Sequence, residues 1–520
     1  MMDVGMTRMS ASTLVELLGQ NRTTAPDKGA TLRTRLSTIT VFLILASRVF
    51  CQENAANRQH LADAVVSVAP NSYLRDIPGD FIGLSQDHDD IAGMLGQRST
   101  GIDVAYRNQL KNLTDAGIGP ISLRVECDLM APDTELPGVN GGSPNLPQSR
   151  ILEPLRDLAQ DINVHYILGV DMASNHPEWA AEEAKRYLAV IPAKVIDAFE
   201  IGNEPDSYQY QGWRPRGNYT VNDYLADWAR YHDAIVGAVG TSIRFMGPSA
   251  AAASYNAATI QHLGTDFKVA IYSQHAYPYG RNKDNPPDML LQPDASLKTV
   301  GGYQRYFTQI HSKGVLYRIG EMNSVSGGGQ NGVSDSFQAD LWLINTGFSF
   351  AQAGFDGFNF HTGRYTRYNL WDVHAVHYPD HTTFDRFVVH APYYGLLFLA
   401  RMMGNGVHLL NVSTTTSARV KIWATMDKAG RVHVAIVNSD ERNSGTVQVS
   451  VPGWTHGTSS LLAAPSYDSA SGIRFSGQTF DGSTDGTIQG ARQTSGMQAA
   501  GGRFLVDVPV TSAVLLDLSQ

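Results

Sequence analysis

Two glutamates occupy positions from which carboxyl groups could do acid–base chemistry. Glu204 directly follows an apolar run in 199–206 (FEIGNEPD), and Glu321 does so in 316–323 (LYRIGEMN). Convergent carboxyl groups are what glycoside hydrolysis requires, because one must give a proton to the leaving oxygen while the other attacks or stabilises the anomeric carbon. Asn203, just before Glu204, is a neutral donor suited to a sugar 2-hydroxyl. Alternatively, either glutamate could cap the following helix or pair with an arginine.

These carboxyl groups can meet only if the fold brings two strand ends together. Between about residues 80 and 390, short apolar runs alternate with amphipathic ones, which predicts a (β/α)8 barrel. The ends of barrel strands converge on one open face, and the two glutamates follow strands four and seven. A doubly wound sheet is the rival, but the first strand lacks a glycine-rich phosphate loop. The predicted strands are 81–85, 121–125, 164–170, 195–201, 243–246, 269–273, 315–319 and 357–360.

A second domain is predicted after a last helix at 393–403. Short alternating segments separated by Gly, Ser, Asp and Asn are typical of an antiparallel β-sandwich, which an early strand at 65–68 could join. The expected strands are 407–412, 419–425, 432–438, 446–451, 459–463, 502–506 and 512–518. The fold class is therefore α/β, a (β/α)8 TIM barrel followed by a C-terminal antiparallel β-sandwich. The expected domains are a leader 1–51, an N-terminal segment 52–79, a barrel 80–392, and the last helix with the sandwich 393–520.

Composition excludes several classes of protein. The chain has 520 residues, enough for two domains, and its 42% hydrophobic content argues against a disordered or fibrous protein. A net charge of −9 argues against general attraction to nucleic acid or anionic lipid. Two cysteines exclude a disulfide scaffold and a multi-cysteine metal site. We expect neither a nucleic-acid partner nor a cofactor.

The N-terminus has the pattern of a secretory signal. The apolar run 39–47 follows basic residues, is too short to span a bilayer, and precedes a plausible cleavage position near Cys51. We therefore expect 1–51 to be a leader with a signal peptide, and the protein to be secreted or periplasmic without integral membrane association. A disordered tail with an apolar patch is the alternative.

Two segments carry a resemblance to a known family. The first is 201–206 (IGNEPD), and the second is 317–329 (YRIGEMNSVSGGG) with 332–335 (GVSD) after it. Together with Trp213, Arg214 and Tyr219 they resemble glycoside hydrolase family 79, the β-glucuronidase and heparanase-like group among the retaining (β/α)8 glycosidases. The sharp motifs occupy about forty residues, although the resemblance covers most of the chain.

The resemblance implies roles for both glutamates and for a uronic acid subsite. Glu204 would be the general acid/base and Glu321 the nucleophile. Glycines after the seventh strand can turn backbone N–H groups toward an anion, so this loop and a tyrosine after strand eight would hold the sugar carboxylate. The candidates for that subsite are Ser326, Gly327, Gly328, Tyr365 and Tyr368. An ordinary flexible loop is the alternative reading of the glycines.

Further contacts follow from the same resemblance. Tyr277, after strand six, would hydrogen-bond the nucleophile, and His275 would line the same subsite. Asp87, after strand one, would bind sugar hydroxyls. Each could instead be a packing or turn residue.

The sequence departs from the family pattern at strand two. The family commonly has Arg-x-Gly-Gly there, whereas 124–128 reads RVECD, so Glu126 and Cys127 replace two glycines beside the pocket. We therefore expect the contacts to distal hydroxyls to be rebuilt. Cys127 has no histidine partner indicated by sequence, which disfavours a cysteine nucleophile.

Histidines concentrate after the eighth strand. Five fall between His361 and His390, including His374, His377 and His381. Their spacings match no closed metal pattern, which favours a polar loop over the barrel mouth and no metal.

The function predicted from the sequence is a retaining glycoside hydrolase that releases terminal β-linked glucuronic acid, or its 4-O-methyl form, from a glycan. An endo-acting heparanase-like hydrolase is the first alternative. A cleft for sulfated chains would need Lys/Arg clusters, and no dense cluster is seen in the strand-end loops. A non-catalytic sugar-binding protein on the same scaffold is the second alternative.

Overall fold

The computed structural model describes residues 64–127, 149–373, 376–377, 383–384, 387–416 and 419–520. The predicted leader 1–51 lies outside the described residues, as do His374, His381 and residues 52–63 of the predicted N-terminal segment 52–79. No helix among the described residues is long and apolar enough to cross a membrane.

Within the described residues, eight parallel strands form a closed barrel whose strand order follows the chain. The circle closes where the last strand pairs in parallel with the first, through Phe358 with Ile82 and His361 with Ser85. Each strand overlaps its predicted segment, because buried parallel strands are near-continuous apolar runs. The barrel strands are Ile82–Asp87, Ile121–Glu126, Val164–Val170, Ile196–Ile201, Phe245–Ala250, Ile271–Ala276, Leu316–Met322 and Gly357–His361.

Helices cover the outside of the barrel. The longest, Val221–Val239, begins with a capping box in which Thr220 and Asp223 satisfy each other's backbone N–H groups. Its apolar stripe packs inward, as the amphipathic pattern predicts. The helices are His88–Met94, Val104–Ala116, Ser149–Asp161, Pro177–Val190, Tyr208–Gln211, Val221–Val239, Ala253–Gln261, Ala295–Val300, Phe307–His311, Phe337–Ala353 and Pro392–Met403.

The last helix, Pro392–Met403, belongs to this outer layer. The Gly395 backbone N–H donates to Asp340 Oδ1 at 2.6 Å, and the Tyr393 hydroxyl donates to the Gln109 carbonyl at 2.6 Å. A Cβ at Gly395 would stand 2.9 Å from the Asp340 carbonyl oxygen, so only glycine allows this close approach. The helix Pro392–Met403 therefore packs against both Val104–Ala116 and Phe337–Ala353 in the outer layer.

The C-terminal region is a ten-stranded sheet among the described residues, almost entirely antiparallel. The early strand Val65–Ile77 pairs antiparallel with Val407–Thr415 and in parallel with Gly445–Ser450, and so ties the two ends of the chain together. Side chains from both halves of the sheet share one apolar core, so the sheet folds over into a sandwich. The other strands are Val420–Met426, Val432–Asn438, His456–Ala463, Arg474–Phe475, Ser495–Gln498, Phe504–Val508 and Ser512–Ser519. The fold class predicted from the sequence is confirmed.

Candidate active site

The two glutamates meet at the open end of the barrel. His275 Nδ1 lies 2.8 Å from Glu204 Oε1 and 3.6 Å from Glu321 Oε2. One oxygen of each carboxyl group and this nitrogen all lie within 4.8 Å of one another. The barrel thus brings together two carboxyl groups that are more than a hundred residues apart in the chain.

Glu204 is held in a strained backbone conformation directly after the fourth strand. Its φ is 42°, in the left-handed region that a glutamate rarely adopts, and its N–H donates to the Ser249 carbonyl at 3.0 Å. The following Pro205 starts a short 3-10 turn. This arrangement directs the carboxyl group to the mouth, where about a third of it is exposed to solvent.

Glu321 is more enclosed and is surrounded by donors. The Tyr277 hydroxyl donates to Oε1 at 2.6 Å, and Arg124 Nη1 donates to Oε2 at 3.0 Å. Burial alone would raise its pKa, but the positive charges of His275 and His361, a hydrogen bond with the Glu126 carboxyl group and the charge of Arg124 hold it well below the usual range. Glu321 is therefore ionised at neutral pH.

The pKa of His275 depends on the two carboxyl groups, Glu204 and Glu321, between which it lies. Complete burial would lower the pKa of its imidazole, but the negative charges of Glu321 and Glu204 and the hydrogen bond to Glu204 raise the pKa above its ordinary value. A protonated His275 donates to Glu204 and adds positive charge beside Glu321.

Arg124, which the sequence reasoning assigned no role, organises the site. Its guanidinium is fully buried, and it donates to Glu200 through Nε at 2.8 and 3.0 Å. Nη1 donates to Ser85 at 2.9 Å and to Glu126 at 2.6 Å as well as to Glu321. Burial would lower the pKa of this arginine, but the carboxylates raise it well above its ordinary range. Through Arg124, the Glu321 carboxylate of the seventh strand is thereby held in place relative to strands one, two and four.

Asn203 is oriented by the same arginine. Its Oδ1 accepts from Arg124 Nη2 at 2.7 Å, and its Nδ2 donates to Glu126 Oε1 at 3.5 Å. A donor in this position beside Glu204 suits a sugar hydroxyl.

Asp87, Glu126 and His361 form an acidic corner at the ends of strands one, two and eight. His361 Nε2 lies 3.9 Å from Asp87 Oδ1, and His361 Nδ1 lies 4.0 Å from Glu126 Oε2 and 3.8 Å from Glu321 Oε2. Asp87 and Glu126 are also backbone neighbours across the sheet. The sequence analysis predicted that Asp87 contacts the sugar but assigned no contact to Glu126 or His361. Both residues lie at the ends of predicted barrel strands, and that position could have identified them as site residues.

In the part of the chain that the structure describes, two groups of side chains are spaced closely enough to hold a metal ion: Asp87 with Glu126 and His361, and Glu204 with His275 and Glu321. Arg124 already supplies a positive charge to both groups through its contacts with Glu126 and Glu321. The donor set is thus already neutralised in part by a side chain.

The glycine loop after strand seven lies beside Tyr368. Gly327, Gly328 and Gly329 have φ values of 71°, 86° and 79°, the left-handed region that glycine tolerates. The Ser326 N–H donates to the Tyr279 carbonyl at 2.8 Å. Among the described residues, the N–H groups of Gly327 and Gly328 have no acceptor. Two backbone donors are thus available to an anion.

The two candidate tyrosines after strand eight differ. Tyr368 is buried, with its ring centroid 6.3 Å from that of Tyr277 and 5.6 Å from that of His361. Tyr365 is 49% exposed and its hydroxyl accepts from Arg364 at 2.8 Å. The structure brings Tyr368 to the nucleophile and leaves Tyr365 at the surface.

Cys127 is buried beside Gly169, the sixth residue of the strand Val164–Val170. A Cβ on Gly169 would come within 3.0 Å of the Cys127 Cβ, which indicates tight packing of the thiol against the barrel wall.

Residues 422–515 match the family model for the glycosyl hydrolase family 79 C-terminal beta domain. A β-glucuronidase of Aspergillus niger is 29% identical over 268 residues, which are 47% of this chain and 48% of that protein. The resemblance to glycoside hydrolase family 79 is confirmed. The match with this curated relative spans about half of its length.

Solved structures share the complete fold. A 4-O-α-L-rhamnosyl-β-D-glucuronidase from Fusarium oxysporum, in complex with Rha-GlcA, superposes with a TM-score of 0.68 at 18% identity, covering 87% of this chain and 100% of that one. A family 51 arabinofuranosidase from Xanthomonas axonopodis pv. citri gives 0.63 at 15% identity, covering 88% and 100%. The fold of this chain is thus shared with both of these enzymes.

Proposed function

We propose that the protein is a retaining glycoside hydrolase of the β-glucuronidase type, which releases terminal glucuronic acid or its 4-O-methyl form from a glycan. The observation that carries the proposal is the arrangement of Glu204, His275 and Glu321, with ligand atoms within 4.8 Å of one another at the barrel mouth. Retaining enzymes hold their two carboxyl groups about 5–5.5 Å apart, close enough for direct attack by the second. The β-glucuronidase named above supports the choice of sugar.

In the first step Glu321 attacks the anomeric carbon while Glu204 gives its proton to the leaving oxygen. Tyr277 and Arg124 orient the attacking carboxylate through one hydrogen bond to each oxygen. A covalent glycosyl–enzyme ester results.

In the second step Glu204, now ionised, takes a proton from water, and the hydroxide formed displaces Glu321 from the anomeric carbon. The protonated His275, 2.8 Å away, stabilises the carboxylate form of Glu204 between the steps. Because the carbon is inverted twice, the product keeps the β configuration.

The sugar itself is placed by groups around this pair. Asn203 would donate to the 2-hydroxyl, and Asp87 would contact hydroxyls farther from the anomeric centre. The N–H groups of Gly327 and Gly328 with the Tyr368 hydroxyl would receive the sugar carboxylate. A glycan that carries terminal glucuronic acid is the proposed substrate, and secretion by the leader 1–51 is the proposed route to it.

Hydrolysis of an aryl β-glucuronide tests the proposal. We expect Glu204→Gln and Glu321→Gln each to lose at least about 10³-fold in kcat. Glu182→Gln, on an exposed helix face where Glu182 pairs with Lys185, is the matched control and should retain full activity. Proton NMR of the first product should show the β anomer. Full activity in both site variants, or the α anomer as first product, would contradict the assignment.

A chain-length series then distinguishes exo from endo action. Release of monomeric uronate from glucuronoxylan and arabinogalactan fragments is expected. Internal cleavage of heparan fragments, without release of terminal sugar, would replace the exo assignment with the endo one.

A further inference from the structure

Glu126 is a third carboxyl group in the barrel mouth, and the proposed two-step mechanism does not use it. Its side chain is 12% exposed, close to the 9% of Glu321. Both accept from the same atom, Arg124 Nη1, at 2.6 and 3.0 Å. Both also lie within 4.0 Å of His361 Nδ1. The two carboxyl groups therefore face each other across one guanidinium group.

Arg124, His275 and His361 supply at most three positive charges to this part of the mouth, which is too few for all five of its carboxyl groups, Asp87, Glu126, Glu200, Glu204 and Glu321, to ionise. One buried guanidinium contacts Glu200, Glu126 and Glu321, and Asp87 adds a further negative charge at the next strand end. Carboxylates this close cannot all be charged, as in sites where two acids share one proton. The corner must hold at least one proton.

The contacts indicate which group holds that proton. Glu321 also accepts from Tyr277 at 2.6 Å and faces His275, whereas Arg124 is the one cation that donates to Glu126 among the described residues, and the other close groups of Glu126 include the carboxyl groups of Asp87 and Glu321. Burial, and then the charges of Asp87 and Glu321, raise the pKa of Glu126 well above its usual range, against the opposing effect of Arg124. Glu126 is the carboxyl group that stays neutral.

Each neighbouring strand end contributes a titratable or charged group to this environment. The groups that face the corner are Asp87, Arg124, Glu200, Glu204, His275, Tyr277, Glu321, His361 and Tyr368. Histidines at two of these positions could also make anion binding depend on pH, so a test must separate their titration from that of Glu126.

Glu126 also lies where a bound sugar would pass. Its Oε1 is 3.5 Å from Asn203 Nδ2, the amide proposed to meet the 2-hydroxyl. With the anomeric carbon between Glu204 and Glu321, this places Glu126 toward the 2- and 3-hydroxyl side. A neutral acid can both donate to and accept from hydroxyl groups there, whereas a carboxylate can only accept.

Resting on the proposed function, we propose that Glu126 is a specificity-determining residue whose charge decides whether the site accepts a uronate. As a neutral acid it hydrogen-bonds the sugar hydroxyls and adds no charge to the pocket. As a carboxylate, at higher pH, it repels the negative charge of the substrate. A neutral sugar of the same shape would not experience this repulsion.

Binding of glucuronate and of glucose, measured by calorimetry from about pH 5 to pH 8, tests the proposal. In wild type we expect the Kd of glucuronate to rise about tenfold more than that of glucose across this range. Glu126→Gln keeps the size and the neutral state of the side chain. In this variant the ratio of the Kd of glucuronate to that of glucose should therefore not change with pH. Glu126→Asp retains a titratable carboxyl group and should retain the dependence, and Glu182→Gln should behave as wild type.

The outcomes separate this proposal from the proposed function. If Glu126→Gln keeps the full pH dependence of glucuronate binding, histidine titration is responsible and the proposal is overturned. It is also overturned if wild type binds glucuronate and glucose with the same pH dependence, or binds neither. If wild type shows the expected binding but cleaves no glucuronide, the charge effect stands and the hydrolase assignment fails.

Discussion

Arg124 and Arg318 both lie inside the barrel, near opposite ends, and their partners differ in kind. Arg124, at the mouth, donates to the carboxyl groups of Glu200, Glu126 and Glu321. Arg318, near the N-terminal ends of the strands, donates to the Asn359 side-chain oxygen at 2.6 Å and to the Asp80 carbonyl at 3.0 Å. One arginine is matched with charges and the other with neutral dipoles.

The two arginines also differ in the direction in which their pKa values shift. Burial lowers the pKa of Arg318, because the nearest carboxylates act only at longer range. The pKa of Arg124 is raised instead, because its carboxylate contacts outweigh burial. Arg318 joins neighbouring segments of the barrel by hydrogen bonds to carbonyl oxygens. Arg124 also joins strands, and its charge in addition favours the ionised form of the carboxyl groups that it contacts.

Arg124→Met should have the largest effect on activity. It would leave Glu200 buried without its counter-charge and Glu321 without a donor on Oε2, and breaking a buried pair costs roughly 3–5 kcal/mol. We expect kcat/KM on an aryl β-glucuronide to fall at least about 10³-fold, with a lowered midpoint in urea unfolding. A loss below about tenfold in a folded variant would remove Arg124 from the catalytic arrangement.

Glu200→Gln should have the next largest effect. The variant keeps the size of the side chain but removes the charge that holds Arg124 Nε, so we expect kcat to fall about 10–100-fold. Glu183→Gln is the matched control. Glu183 is equally buried but lies on an outer helix, where it accepts from the Asp171 N–H at 2.8 Å, and its kcat should equal that of wild type. Equal losses in the two variants would indicate general destabilisation instead.

Tyr277→Phe should move the acid limb of the pH profile. The hydroxyl stabilises the ionised form of Glu321, so its removal raises the pKa of that carboxyl group. Because the ionised form is the nucleophile, the acid limb of kcat/KM should shift to higher pH, with kcat about tenfold lower. Tyr272→Phe, in the strand that ends just before Tyr277 but with its hydroxyl bonded to Thr259, should leave the limb in place. An unmoved limb in Tyr277→Phe would contradict the assigned role of Glu321.

Arg318→Met should have the smallest effect on activity. The variant leaves the Asn359 oxygen and the Asp80 carbonyl without their donor, which costs about 1–3 kcal/mol of unfolding free energy. We expect kcat to stay within about twofold of wild type, because no carboxylate of the mouth loses a partner. A loss of activity as large as that of Arg124→Met would erase the distinction between the two ends of the barrel.

Hydrophobic pattern and local motifs were enough to predict the barrel, the sandwich and the strand ends that bear Glu204 and Glu321. A buried parallel strand has a contiguous apolar signature, and the residue that follows it must lie at the mouth, so sequence position determines three-dimensional position there. The same reasoning placed His275 and Tyr277 after strand six, and the structure brings both to the carboxyl groups.

Tertiary structure alone decided which side chains meet. Arg124 contacts Ser85 and Glu321, which are 39 and 197 residues away, and no local pattern encodes such pairs. Tyr365 and Tyr368 were equal candidates in sequence, since a loop has no periodicity that assigns a face, and only the fold buries Tyr368. The sequence by itself thus determined the scaffold and its two glutamates, because these depend on local hydrophobic order. The network of charges around them was decided by the closed barrel, because electrostatic interactions depend on distances between separate strands.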